Sequence, residues 1–109
     1  MRETGCTGFK ARLIKELEYR FPGCIVFNLD PLTIHQGVPD LLILYKTNWA
    51  MLETKGAANS RRRPNQEFYV NFYNELAFAS FIYPENEEEV LNDLQHAFEP
   101  PRRTRLSKR

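Results

Sequence analysis

The sequence predicts an α/β domain, a central mixed β-sheet flanked by α-helices in the order αβββαβα. Three observations carry that prediction. Apolar residues recur at helical spacing in three stretches, short β-branched and aromatic runs lie between them, and Pro or Gly marks most of the junctions. From Phe9 to Phe21 the apolar residues Phe9, Leu13, Ile14, Leu17 and Phe21 describe an amphipathic helix, and Pro22-Gly23 stops it. Cys24-Ile25-Val26-Phe27 is a short strand that ends in the turn signal Asn28-Leu29-Asp30-Pro31, with a loop from Leu32 to Val38. Asp40 to Tyr45 and Trp49 to Thr54 are apolar runs divided by Lys46-Thr47-Asn48. They predict a hairpin buried on both faces at the centre of the sheet.

Gly56 to Arg63 is polar and basic, a loop by composition, and Pro64 can open the helix that runs to about Leu76. Phe78 to Tyr83 is a further strand, closed by Pro84. A last helix follows Asn86, read as its N-cap. Glu87, Glu88 and Glu89 occupy its first turn, where carboxylates meet the positive end of the helix dipole, and Val90, Leu91, Leu94 and Phe98 form its apolar face.

A length of 109 residues suits one domain over residues 1–99, followed by a basic, disordered tail at 100–109. With 42% hydrophobic and 27% charged residues, the composition is that of a globular chain with a core, not of a disordered or fibrous one. The longest unbroken apolar run, Leu41 to Tyr45, is far short of the ~20 residues that cross a bilayer, so no membrane partner is expected. The stretch from Met1 to Ala11 lacks the apolar segment of a secretory signal, which points to the cytoplasm. Two cysteines, Cys6 and Cys24, are too few for a disulfide framework and have no zinc-ligand spacing. The net charge of +1 hides an asymmetry: Arg102, Arg103, Arg105, Lys108 and Arg109 lie within residues 102–109, and the other 101 residues carry a net charge of −4. Such a tail is either simply solvated or a nonspecific phosphate binder.

The chemistry is expected where polar residues stand at the ends of apolar strands. Asp40 opens one strand of the hairpin, and Glu53 and Lys55 close the other on a shared face, with Thr54 on the opposite one. A two-residue connection, Tyr45 opposite Asn48, brings Asp40 opposite Glu53 with Cβ atoms about 5 Å apart. A three-residue connection would put Asp40 opposite Thr54 and separate the acids unless a bulge intervened. Two carboxylates opposed across a sheet need a cation or a shared proton. Mg²⁺ or Mn²⁺, held by two carboxylates, a backbone carbonyl and waters, meets that need and suits phosphodiester hydrolysis beside the Lys55 ammonium. Without a metal, the same residues are merely a solvated strand terminus.

The order Gly37-Val38-Pro39-Asp40, Glu53-Thr54-Lys55 and then Gln66 in Arg63-Pro64-Asn65-Gln66 resembles the motifs of the PD-(D/E)xK nuclease superfamily. It is most similar to the stand-alone VRR-NUC domains of phages and bacteria, over about residues 9–98. The resemblance implies a restriction-endonuclease-like core. It also implies Asp40, Glu53 and the Thr54 carbonyl as metal ligands, Lys55 as the catalytic lysine and Gln66 as an orienting group, with Tyr69 one turn beyond on the same face as a DNA contact. The family's acidic residue on the first helix has candidates in Glu16, Glu18 and Glu3. Glu16 is preferred, against a reading in which it only pairs with Arg12 or Arg20. Members of this type imply a homodimer acting on branched or duplex DNA, Holliday junctions included.

Arg61, Arg62 and Arg63 sit between the catalytic strand and the Gln66 helix, where they can hold a phosphate backbone or only keep a loop solvated. His35 and Gln36 precede the Gly37 turn and either line a cleft or cap it, while His96 is assigned to the surface. Trp49, Phe68, Phe72, Phe78 and Phe81 fall at helix or strand periods and are assigned to the core. The expected activity is a Mg²⁺- or Mn²⁺-dependent deoxyribonuclease. Its rivals are a non-catalytic nucleic-acid-binding module and a metal-free enzyme using Asp40 and Glu53 as acid and base, such as a glycosidase.

Overall fold

The computed structural model describes residues 5–29 and 37–99, with side chains from residue 8 onward. The expectations for Glu3, the Cys6 thiol, Asp30-Pro31, His35, Gln36 and the basic tail lie outside the described residues. Helix α1 (Gly5–Arg20) leads into strands β1 (Ile25–Asn28), β2 (Leu41–Tyr45) and β3 (Asn48–Thr54). Helix α2 (Pro64–Leu76), strand β4 (Phe78–Ile82), a 3-10 turn at Pro84–Asn86 and helix α3 (Glu87–Phe98) follow. The strands form one sheet in the order β1-β2-β3-β4, antiparallel except for the β3–β4 pair, which is parallel and connected through α2. This is the mixed sheet flanked by helices that the sequence predicts.

The hairpin connection is the two-residue one: Tyr45 pairs with Asn48, and Leu41 with Leu52. Lys46 accepts a φ of 56° to make so tight a turn. Pro22-Gly23 ends α1 as expected, Gly23 taking a φ of 91°, although the helix begins four residues upstream of Phe9. Asn86 does not cap α3 with its side chain. Its Oδ1 accepts the Tyr83 N–H and its Nδ2 donates to the Phe81 carbonyl, so the amide closes the 3-10 turn that Pro84 opens.

The two faces of the sheet are covered unequally. On one face α1 and α3 bury Leu13, Leu17, Phe21, Leu91, Leu94 and Phe98 against Leu41, Ile43, Leu52 and Ile82. On the other, α2 lies over β3 and β4 and packs Val70 on Met51, Ala79 and Phe81. Among the described residues, coverage stops there. β3 is therefore buried on both faces, but β2 is not: Leu44 is exposed, as are Ile25 and Phe27 on β1. The expectation of a hairpin buried on both faces fails for β2 because one helix is too narrow to roof four strands. Phe68 and Phe72 also depart from expectation. They are exposed on α2, not part of the core, while Trp49, Phe78 and Phe81 are at least partly buried.

Candidate active site

The polar residues of the sequence motifs meet at the end of the sheet where β2 begins and β3 stops. Gly37, at φ 98°, turns the chain into Val38-Pro39-Asp40, and the Asp40 carbonyl accepts the Leu29 N–H to continue the β1–β2 pairing. Extending the Leu41–Leu52 register by one step brings Asp40 level with Glu53.

The Asp40 carboxylate is fully engaged. Oδ1 accepts the Thr54 N–H at 3.0 Å, and Oδ2 accepts the Thr54 hydroxyl at 2.6 Å and pairs with Lys10 Nζ at 3.0 Å. Thr54, expected on the face opposite Glu53, anchors Asp40 there through its hydroxyl. Glu53 is buried, and its Oε2 accepts Gln66 Nε2 at 2.9 Å with Lys55 Nζ 3.9 Å away. Gln66 Oε1 in turn accepts Lys55 Nζ at 2.8 Å and the Arg63 N–H at 2.9 Å. One side chain therefore spaces the carboxylate from the ammonium and also satisfies a free N–H at the start of α2. Lys55 additionally donates to the Arg61 carbonyl at 2.9 Å.

Burial, reinforced by the Asp40 charge, pushes the Glu53 carboxyl up to about 7, against opposing effects of Lys55, the Asp40 backbone N–H and Lys10. Two acids are thus close enough to disturb each other, and Lys55, Lys10 and the neighbouring hydrogen-bond donors offset the effect only in part. A divalent cation held there would relieve that repulsion. Among the described residues no group of three His, Cys, Asp or Glu side chains could hold a metal ion. Two carboxylates fit Mg²⁺ or Mn²⁺, which retain several waters and take few protein ligands. They would not make a structural zinc site.

Glu16 is not among these groups. It lies one turn before Arg20 and accepts Arg20 Nε at 2.9 Å, while the same guanidinium reaches Glu88 and Asn92 on α3. That pairing clamps α1 to α3. The first helix contributes Lys10 instead, which also donates to Asn28 Oδ1 at 3.2 Å. A sequence signal for Lys10 existed: it stands seven residues before Leu17, on the buried stripe of an amphipathic helix, where a charge needs a reason. Among the arginines, Arg61 and Arg63 are exposed. Arg62 is occupied, 3.9 Å over the Phe81 ring and 3.7 Å from Glu67. Tyr69 stacks on Tyr73 at 6.2 Å rather than entering the cluster, and His96 is exposed on α3.

No family model matches the chain and no curated protein matches it. A solved structure described as "VRR_NUC domain" superposes with a TM-score of 0.57 at 22% identity, covering 79% of this chain and 94% of that one. At that identity the likeness is one of fold. The chain is a small α/β domain with the architecture of a VRR_NUC domain, the fold that the motif resemblance implied.

Proposed function

We propose that the chain is a metal-dependent endonuclease that hydrolyses phosphodiester bonds in DNA. The observation that carries this reading is the buried Glu53 carboxyl, raised to about 7 beside Asp40 and bridged by Gln66 to Lys55. The likeness in fold to a VRR_NUC domain supports it. Asp40 and Glu53, with the Thr54 carbonyl, are the groups to hold Mg²⁺ or Mn²⁺. When bound, such a cation supplies positive charge against the phosphodiester and acidifies water at the site. Lys55 exchanges the Arg61 carbonyl for a phosphate oxygen and stabilises the charge that grows on it. Gln66 keeps Lys55 from collapsing onto Glu53. Thr54 holds Asp40 in one rotamer, and Arg61 and Arg63 grip the flanking backbone. Branched DNA, Holliday junctions included, is the proposed substrate, cut by a homodimer that presents two such sites.

The test is cleavage of labelled linear, flapped and four-way DNA with Mg²⁺, Mn²⁺ or EDTA. Activity is expected only with metal, and Lys55→Ala and Asp40→Ala are each expected to lose at least ~100-fold while still binding DNA. Wild type that binds all three substrates yet cuts none would favour a non-catalytic binding module. Cleavage undiminished in EDTA would exclude the metal.

A further inference from the structure

Helix α1 brings to the cluster a cation that the proposed hydrolysis does not use. Lys10 Nζ lies 3.0 Å from Asp40 Oδ2 and donates to Asn28 Oδ1 at 3.2 Å, so the ammonium is held between the acid that precedes β2 and the last residue of β1. Its side chain is only 22% exposed. A carboxylate oxygen accepts about two hydrogen bonds. Asp40 Oδ2 already takes two donors, the Thr54 hydroxyl at 2.6 Å and Lys10, whereas Oδ1 takes one, the Thr54 N–H at 3.0 Å. Asp40 therefore has one oxygen to offer a cation. Among the described residues no third acid joins it, since Glu16 on α1 pairs with Arg20 instead.

We propose that Lys10 takes the place of a second divalent cation, so that the cluster binds a single ion through Glu53, Asp40 Oδ1 and the Thr54 carbonyl, with the ammonium as a fixed charge on Oδ2. The inference rests on the metal-dependent reading above and specifies how many ions that site holds. Two observations carry it. The first is the valence of Asp40. Sites that act with two ions set them about 3.5–4 Å apart, and a carboxylate that serves both must give an oxygen to each. Asp40 cannot do so while Thr54 and Lys10 fill Oδ2. Asn28 holds the ammonium from its other side, so vacating Oδ2 breaks two contacts of Lys10 rather than one. The second is charge. Asp40 and Glu53 are faced by Lys10 and by Lys55, whose Nζ is 3.9 Å from Glu53 Oε2. One divalent ion leaves these four groups with an excess of positive charge, and a second would double that excess with no further carboxylate to offset it among the described residues. Lys10 thus weakens the hold on the ion, but it fixes the number bound and keeps Asp40 in one orientation before the ion arrives.

The test counts ions on the full chain and involves no DNA. Titration with Mn²⁺ at pH 8, followed by electron paramagnetic resonance, is expected to show one ion per wild-type chain, and Asp40→Ala is expected to lose it. Lys10→Met removes the ammonium and opens Oδ2, so Mn²⁺ is expected to bind at least ~10-fold tighter. A lysine that merely propped Asp40 would give the opposite sign, because its loss would weaken binding. Lys10→Glu adds a carboxylate at the same place and is expected to bind two ions, whose mutual coupling broadens the signal of bound Mn²⁺. Lys10→Arg keeps the charge and is expected to bind one ion at close to wild-type affinity. Circular dichroism checks that each variant folds, and Lys10→Met decides the sign should Lys10→Glu not fold. Two ions on wild type, an unchanged or weaker affinity in Lys10→Met, or a single ion on folded Lys10→Glu would each overturn the role of Lys10 and leave a metal-dependent site standing. A wild type that binds no Mn²⁺ at millimolar concentration, or an ion that Asp40→Ala retains, would overturn the metal-dependent reading together with it.

Discussion

In the metal-free protein Glu53 takes up its proton near neutrality, because its carboxyl is raised from 4.5 to about 7. The folded state therefore binds this proton more tightly than the unfolded chain does. Its contribution to stability is complete below about pH 4.5 and is lost as the pH rises through about 7, a change of a few kcal/mol. The comparison that isolates Glu53 is with Glu53→Gln, which has no proton to lose. Urea unfolding in EDTA at pH 5.5 and pH 8 should show wild type losing stability relative to Glu53→Gln, and Mg²⁺ at pH 8 should restore it in wild type alone. Lys10→Met, by removing an ammonium that holds the Glu53 carboxyl down, should move the transition to higher pH. Parallel curves for wild type and Glu53→Gln would mean that the carboxyl is not raised. Lys10 also shows where a residue-by-residue reading stops. The motif pattern points to an acid on the first helix, whereas tertiary packing brings a base to Asp40 from 30 positions away.

Between elements, Gly37 lies close against the start of α2. A Cβ built on Gly37 would lie 2.5 Å from the Asn65 Cβ and 3.0 Å from its backbone carbon, at a φ of 98° that disfavours any side chain. Gly37→Ala is expected to cost about 1–3 kcal/mol, a fall in Tm of roughly 5–15 °C by thermal unfolding. It should also displace Gln66, the next residue after Asn65, from Glu53 and Lys55. An unchanged Tm would show that the loop yields freely. The motif Gly-x-Pro-Asp is thus legible in sequence as a turn, but its packing partner is not. The same division runs through the other elements. α2 is readable to its bounds because Pro64 opens it and its apolar residues hold the helical period, and the hairpin register follows once its connection is two residues. Exposure is not readable in α2, where Phe68, Tyr69, Val70, Phe72, Tyr73 and Leu76 surround most of the helix. Periodicity cannot say which of them a half-covered sheet will take in.

At the scale of the whole molecule, the two layers differ in what holds them. Among the described residues, the cluster beneath α1 and α3 contains 14 buried residues, whereas the cluster beneath α2 contains four. Local opening draws on the contacts that a segment loses, so α2 should open at a lower free-energy cost than α1 or α3, even though it carries Gln66. Hydrogen exchange resolved by peptide can observe this directly. The amides of α2 should exchange faster than those of α1 and α3. If the amides of α2 exchange as slowly as those of α1 and α3, the site's own hydrogen bonds through Gln66, and not the packing of Val70 on the sheet, set the order of this helix.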